Sequence, residues 1–492
     1  MKNSQSYLVF LSLPLLGCAG ERQTDQLKPN ILWIVVEDIS SHFGYQGEPL
    51  VHTPNIDRLA AEGAVFSNAY VTAPVCSACR SAMITGMYQT TIGAHHHRSS
   101  RGEEKIHLPE GMLTIPELFS EAGYYTCNSS EQHDRRGKTD YNFVYSFEQL
   151  YDATDWSDRA DGQPFFAQVQ LRGGKLRNVP RWYEEVVAEL DPNLLVKTEE
   201  VVLPPYYPDH PVFLQDWAEY LNSVQYTDYE VGLILERLQQ ENLLDNTVIF
   251  YITDHGISQA RGKQFLYDEG ARIPFIVWAP GLIDPQPRED LIVHIDMAAT
   301  SLHLAGIEIP ETMEANILFG ESHIPREYIV CARDRCDETV DRIRSVRRGN
   351  FKYIKNYFPQ RPYLQPCAYK DNKPWMPVLH ELDRQGRLNE HQQLFTAQTR
   401  PQEELYDLLT DPFEINNLAN DEKSAGTLEL MRQILEQWIM ETGDQGQKPE
   451  PKAIYESDME VYVNNIRRNN PERAKVIENN IAIMKKWAKE GI

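Results

Sequence analysis

Asn30-Ile31-Leu32-Trp33-Ile34-Val35-Val36, followed at once by Glu37-Asp38, is the stretch that sets the fold. It is apolar without interruption and of strand length. A strand with no polar alternation is buried on both faces, the habit of parallel sheets covered by helices. Val248 to Ile252 repeats the pattern and ends in Asp254, and Ile273 to Trp278 gives a third such run. Helical spacing fills the gaps. Pro54 to Glu62 reads as a helix, with Thr53 as N-cap and Pro54 in its first position; Ile56, Leu59 and Ala60 share one face. Ile115 to Ala122 is a second helix, and Tyr226 to Glu241 a third, with Val231, Ile234, Leu235 and Leu238 in register. The expected class is α/β, a large mixed but mainly parallel sheet sandwiched by helices. Chemistry in such sheets gathers beyond the carboxyl ends of the strands, where both acidic pairs fall.

Past Arg326 the texture changes. Tyr328 to Cys331, Ile343 to Val346 and Phe351 to Ile354 are short strands, with Gly349-Asn350 as a hairpin turn. They predict a smaller antiparallel subdomain. Ser424 to Thr442 and Pro471 to Lys489 read as amphipathic surface helices, and the Pro-rich segment 201–212 as a loop. The expected division is 29–325 for a catalytic domain and 326–492 for the C-terminal part. The chain opens MKNSQSYLVFLSLPLLGCAG; Lys2 precedes an apolar run, Tyr7 to Leu16, too short to cross a bilayer. Residues 1–17 therefore read as a secretory signal and 18–28 as a tether.

Charge narrows the function. With 48 Lys+Arg against 72 Asp+Glu the net charge is −24, which excludes a nucleic-acid coat needing clustered positive charge. Hydrophobic residues at 41% are enough for a packed core. Seven Cys are too few and too scattered for a disulfide scaffold.

The most informative motif is Pro74-Val-Cys76-Ser77-Ala78-Cys79-Arg80, with Thr85-Gly86 closing the segment. A C-x-x-C pair alone fits zinc or redox chemistry, but no second pair exists to complete four zinc ligands. The segment resembles the signature of the type I, formylglycine-dependent sulfatases, and Arg333-Asp334-Arg335-Cys336-Asp337-Glu338 resembles the substrate-facing stretch of their sulfamidase-like and polysaccharide-acting branch. That resemblance implies an alkaline-phosphatase-like fold. It implies that Cys76 is oxidised to formylglycine (3-oxoalanine) by a sulfatase-maturing enzyme, and that the aldehyde hydrate is the nucleophile. One hydrate oxygen attacks sulfur; collapse of the other expels sulfate. Arg80, one turn on, orients that group.

The same resemblance assigns the other parts. Glu37, Asp38, Asp254 and His255, with Cys76, are the implied ligands of one divalent metal, usually calcium. Lys263 and Lys138 are implied sulfate contacts. Three departures stand out: Glu37 replaces the usual Asp, Asp140 replaces a His, and Lys175 stands near where a His commonly serves the leaving oxygen. Within His95-His96-His97, His96 and His97 are candidate substrate contacts, as are Arg333 and Arg335 for an anionic sugar. Glu403 to Pro412 and Asn416 to Leu418 resemble the family's closing motif. Leu15-Leu16-Gly17-Cys18 resembles a bacterial lipobox, implying lipid on Cys18 and an exported, membrane-anchored lipoprotein. The expected activity is hydrolysis of sulfate esters on a sulfated polysaccharide or oligosaccharide, exo-acting, on an algal glycan such as ulvan or carrageenan. An N-sulfoglucosamine sulfohydrolase and an inactive sulfated-glycan-binding lipoprotein are the alternatives.

Overall fold

A computed structural model describes residues 28–131, 133, 135–177 and 180–492. Residues 1–27, which hold the expected signal, Cys18 and all but the last residue of the expected tether, lie outside the described residues. Seven strands form the large sheet: β1 Asn30–Val36, β2 Ala64–Tyr70, β3 Tyr125–Ser130, β4 Phe165–Leu171, β5 Thr247–Thr253, β6 Phe275–Trp278 and β7 Gln286–Val293. Their order is β3-β4-β1-β5-β6-β2-β7. β3, β4, β1 and β5 run parallel, and β6 runs antiparallel to both β5 and β2.

The uninterrupted β1 run explains the layering. Ile31, Trp33 and Val35 face one apolar layer, which includes the helix Asp296–Leu304. Leu32, Ile34 and Val36 face the other, under the helix Pro211–Gln240. Every β1 residue is buried. Trp33 is fully enclosed, and its indole N–H donates to Ser301 Oγ at 2.9 Å, so burial leaves no polar atom stranded.

Several elements differ from the sequence reading, each for a visible reason. The helix expected from Tyr226 is the second half of a 30-residue helix that starts at Pro211. Its first half buries Asp216, Asn222 and Gln225, which hides the apolar stripe. Asp228, on the same helix, is also buried, and it accepts from the Asn55 and Ile56 backbone N–H groups. The run beginning at Ile273 becomes a strand only at Phe275.

The small sheet holds β8 Ile329–Arg333, β9 Ile343–Arg348, β10 Phe351–Asn356 and β11 Glu403–Asp407, in the order β11-β10-β9-β8 and antiparallel throughout. Val330, Val346, Tyr353 and Leu405 join the same apolar layer as Trp33. The small sheet therefore shares a core with the large one. The helix Ala425–Thr442 adds Leu428, Met431, Leu435 and Trp438 to that layer. A helix the sequence reading passed over, Lys452–Asn469, pairs with Pro471–Glu490 around Tyr455, Met459, Tyr462 and Ile477.

Candidate active site

The site is built at the carboxyl ends of β1 and β5. These strands are parallel neighbours, with Val36 opposite Thr253. Their following residues, Glu37-Asp38 and Asp254-His255, are therefore brought side by side. Asp254 N–H donates to the Val36 carbonyl at 2.8 Å, and Asp38 N–H to Asp254 Oδ1 at 3.3 Å. Asp38 takes a left-handed φ of 57°, which turns the chain sharply after the strand.

Cys76 opens the helix Cys76–Thr85 and is 2% exposed. Its Sγ lies 3.1 Å from Lys263 Nζ, 3.2 Å from His255 Nε2 and 3.8 Å from Lys175 Nζ. Burial pushes the thiol pKa up against the pull of Lys138 and Lys263. As a thiol, Cys76 is thus protonated and a poor nucleophile. Arg80 is four residues on, hence on the same helix face. Its Nε pairs with Asp254 Oδ2 at 3.0 Å, and its Nη1 donates to Gln170 Oε1 at 2.6 Å and to the Lys138 carbonyl at 3.3 Å.

Cations line the remaining wall. Lys138 Nζ pairs with Glu37 Oε2 at 2.5 Å and lies 3.9 Å from Asp254 Oδ2. Lys263 Nζ pairs with Asp38 Oδ1 at 3.1 Å. Lys175 pairs with Glu37. It reaches in from a turn that needs both preceding glycines. Gly173 has a φ of 49°, and a Cβ on Gly174 would overlap the Asp38 carbonyl.

The carboxylates and His255 fit a divalent cation. Oxygens of Asp38 or of Glu37 and Asp254 sit with Cys76 in two groups, the first including His255, whose candidate ligand atoms lie within 4.8 Å of one another. Burial alone would raise Asp254, but His255, Arg80 and Lys138 hold it well below the usual carboxylate range. Burial lowers His255 to about 4, so its ring is neutral. Its Nδ1 donates to the Gly256 carbonyl at 2.9 Å, which leaves the Nε2 lone pair facing Asp38 and Cys76. Mostly hard oxygen donors of this kind suit calcium or magnesium better than a soft metal.

The other expected residues fall in different places. Asp140 is gripped by both arms of Arg98, at 3.0 and 3.1 Å, and lies 3.6 Å from Lys138. It replaces a candidate sulfate donor with an acceptor that anchors Lys138. His97 Nδ1 lies 2.9 Å from Ser77 Oγ, bracing the first turn of the Cys76 helix, and burial lowers its pKa to about 3. His96 is half-buried, and its Nδ1 accepts the Arg335 backbone N–H at 3.3 Å.

Arg333 and Arg335 do not reach the site with their guanidinium groups. Arg333 faces Asp341 at 3.2 Å, and Arg335 binds Glu450 at 2.7 and 2.8 Å and Asp458 at 3.0 Å. Both are buried in internal ion pairs, so the substrate role expected for them is replaced by a structural one.

Two residues were missed. Gln170 orients Arg80 and is itself held by Asn128 and Gln168. Its signal was present, since Gln168 and Gln170 interrupt an otherwise apolar strand. Tyr369 is the other: its hydroxyl contacts Ser258 Oγ at 3.0 Å and donates to Asp38 Oδ2 at 3.3 Å. Nothing in its local sequence marks it.

Residues 29–307 match the sulfatase family profile, more than half of the chain. The chain belongs to the sulfatase family. Residues 255–363 also match the C-terminal profile of N-sulphoglucosamine sulphohydrolase. An "Ulvan-active sulfatase" of Formosa agariphila is 32% identical over 478 residues, covering 88% of this chain and 79% of the relative. Human N-sulphoglucosamine sulphohydrolase is 22% identical, covering 84% of this chain and 90% of its own. A solved structure in complex with its substrate D-glucosamine-2-N,6-O-disulfate shares the fold, with a TM-score of 0.57 and 19% identity over 86% of this chain and 100% of that one. Formylglycine and a divalent metal are the general equipment of this family, and the groups around Cys76 are of the right kind for both.

Proposed function

We propose that this sulfatase hydrolyses sulfate esters at the end of a sulfated algal oligosaccharide, of the ulvan or carrageenan kind, after conversion of Cys76 to formylglycine. The observation that carries the reading is the convergence of Lys263, His255 and Lys175 on Cys76 Sγ, within 3.1–3.8 Å. The 32% identity to an ulvan-active sulfatase supports the saccharide class.

Each residue has a task that follows from its position. Glu37, Asp38, Asp254 and His255 would hold a calcium ion, which when bound supplies positive charge to a sulfate oxygen. Arg80 orients the converted residue from one turn below it. Lys263 and Lys138 offer fixed ammonium groups to the charge that builds on the sulfate oxygens, the oxyanion-type role. Lys175 stands on the side open to solvent, its side chain 29% exposed, and supplies the cation next to the departing oxygen.

The test is sulfate release from ulvan, carrageenan and glycosaminoglycan oligosaccharides by protein whose formylglycine content has been measured. Release from the algal saccharides supports the reading; release only from the glycosaminoglycans overturns the algal assignment. The match of residues 255–363 to the sulfamidase C-terminal profile favours one second reading, cleavage of N-sulfated glucosamine. An N-sulfated disaccharide in the same panel separates it from ester hydrolysis. Metal analysis of purified protein, and of a Glu37→Ala variant, checks the calcium assignment; a Glu37→Ala protein that keeps full calcium removes Glu37 from the ligand set. Anchoring through Cys18 belongs to the same proposal. Cys18→Ala is expected to move the protein from the membrane fraction to the soluble one, and continued membrane association would contradict it.

A further inference from the structure

Among the described residues, the cations around the site include one, Lys373, whose ammonium has neither a carboxylate nor a carbonyl partner. Lys138 and Lys175 are matched by Glu37, Lys263 by Asp38, and Arg98 by Asp140. Lys370, fully enclosed, donates to the Gln259 and Ala260 carbonyls at 3.1 and 3.2 Å and so braces the loop that carries Lys263. Lys373 follows three residues later and is half-buried. Among the described residues its ammonium has no ion pair and no hydrogen bond. It rests on the ring of Tyr369, with Nζ 5.1 Å from the centroid.

That ring ties Lys373 to the reacting group. Lys263 Nζ lies 4.9 Å from the same centroid, and the Tyr369 hydroxyl touches Asp38. Lys263 is itself 3.1 Å from Cys76 Sγ. Lys373 is thus one aromatic ring away from the lysine proposed to contact the sulfate, and its charge also acts on Lys175. Burial and repulsion from Arg177 and Lys263 bring its pKa down to about 8, although Asp38 and Asp216 pull the other way. A half-buried cation with no counter-ion is costly. Such a cost persists at sites completed by a ligand. In a protein of net charge −24, an unmatched cation at this place selects for an anion.

We propose that Lys373 is a specificity-determining residue that pairs with a second anionic group, a carboxylate or another sulfate, on the saccharide whose sulfate ester lies at Cys76. The inference rests on the saccharide reading above and adds the substrate's charge: at least two negative groups within the reach of one sugar unit or its neighbour. A charge-assisted hydrogen bond of this type corresponds to roughly 10- to 100-fold in kcat/KM.

The experiment uses two matched pairs of oligosaccharides: a monosulfated uronic-acid disaccharide with its carboxyl-reduced counterpart, and a disulfated disaccharide with its monosulfated counterpart. Sulfate release is measured for the wild type, Lys373→Gln and Lys373→Arg. In the wild type, the more charged member of at least one pair is preferred, and the pair that shows the preference identifies the anion as carboxylate or sulfate. In Lys373→Gln that preference falls about 10- to 100-fold, chiefly through KM, and in Lys373→Arg it is largely kept. An unchanged preference in Lys373→Gln, or equal losses on both members of each pair, overturns the proposal while leaving the saccharide reading intact. Turnover of a simple aryl sulfate with none of any saccharide overturns the saccharide reading instead. Calorimetric binding of the same four saccharides to Cys76→Ala and Cys76→Ala/Lys373→Gln repeats the comparison without turnover, so slow catalysis does not hide the result.

Discussion

Two of the buried charge networks among the described residues look alike in sequence and differ in kind. One surrounds Cys76. The other lies in and beside the small sheet, where Arg344 binds Asp334 and Asp444 through both arms, Arg335 binds Glu450 and Asp458, and Arg400 binds Asp341 with Nη1 at 3.0 Å. In the second network planar guanidinium forks close on carboxylates, which is the geometry of a finished structural bond. In the first, lysine point charges and carboxylates from five separate chain segments converge on one reactive side chain. Lys138 and Lys175 there remain 20% and 29% exposed. The closed arginine forks tie the small sheet to its neighbours, whereas the lysine–carboxylate cluster at Cys76 stays partly open to solvent.

The comparison can be broken by substitutions that should have opposite signatures. Lys138→Ala is expected to lower kcat by about 100- to 1,000-fold, as loss of an oxyanion donor does, while the melting temperature stays near the wild-type value, because Lys138 is partly exposed and Glu37 keeps Lys175 as its partner. Steady-state sulfate release together with a melting curve checks it, and full activity would remove Lys138 from the sulfate site. Arg344→Ala should do the reverse. It leaves Asp334 and Asp444 buried without their partner, which costs about 3–5 kcal/mol. Denaturant titration should show that loss, with kcat/KM of the folded fraction unchanged; an equal stability with lost activity would erase the distinction between the networks.

The smallest effect is a pH dependence. Burial would raise Asp341, but Arg400 and Arg333 override it and hold its pKa at about 2. A depressed carboxylate contributes stability above its unfolded pKa and loses it as pH falls through the folded value. Asp341 therefore contributes about 2 kcal/mol that is fully present above roughly pH 4–5 and disappears towards pH 2. Unfolding free energies of wild type and Asp341→Asn, measured between those limits, should converge as the pH drops. A constant gap would contradict the assignment.

How much of this was legible in the sequence follows the same division. β1 and β5 announced themselves because burial on both faces leaves no polar alternation, and the acids after them marked the site. The Cys76–Arg80 spacing fixed one helix face. Asp216, Asn222 and Gln225 concealed half of the long helix, because buried polar residues satisfied by distant partners imitate a solvent face. Arg333 and Arg335 read as sugar contacts, since a sequence shows charge but not whether Asp341, Glu450 or Asp458 will fold back onto it. Tyr369 lay beyond reach for a simpler reason: it meets Asp38 across 331 residues of chain. The resemblance to sulfatases supplied the roles of Lys138 and Lys263, which spacing alone left as ordinary charges.

The most direct test of the account is sulfate release by protein produced together with a sulfatase-maturing enzyme, with formylglycine at Cys76 quantified by peptide mass spectrometry. The account predicts turnover of a sulfated saccharide in proportion to the converted fraction, and none from Cys76→Ala folded to the same melting temperature. Turnover that survives in Cys76→Ala, or that does not follow the aldehyde content, would contradict it.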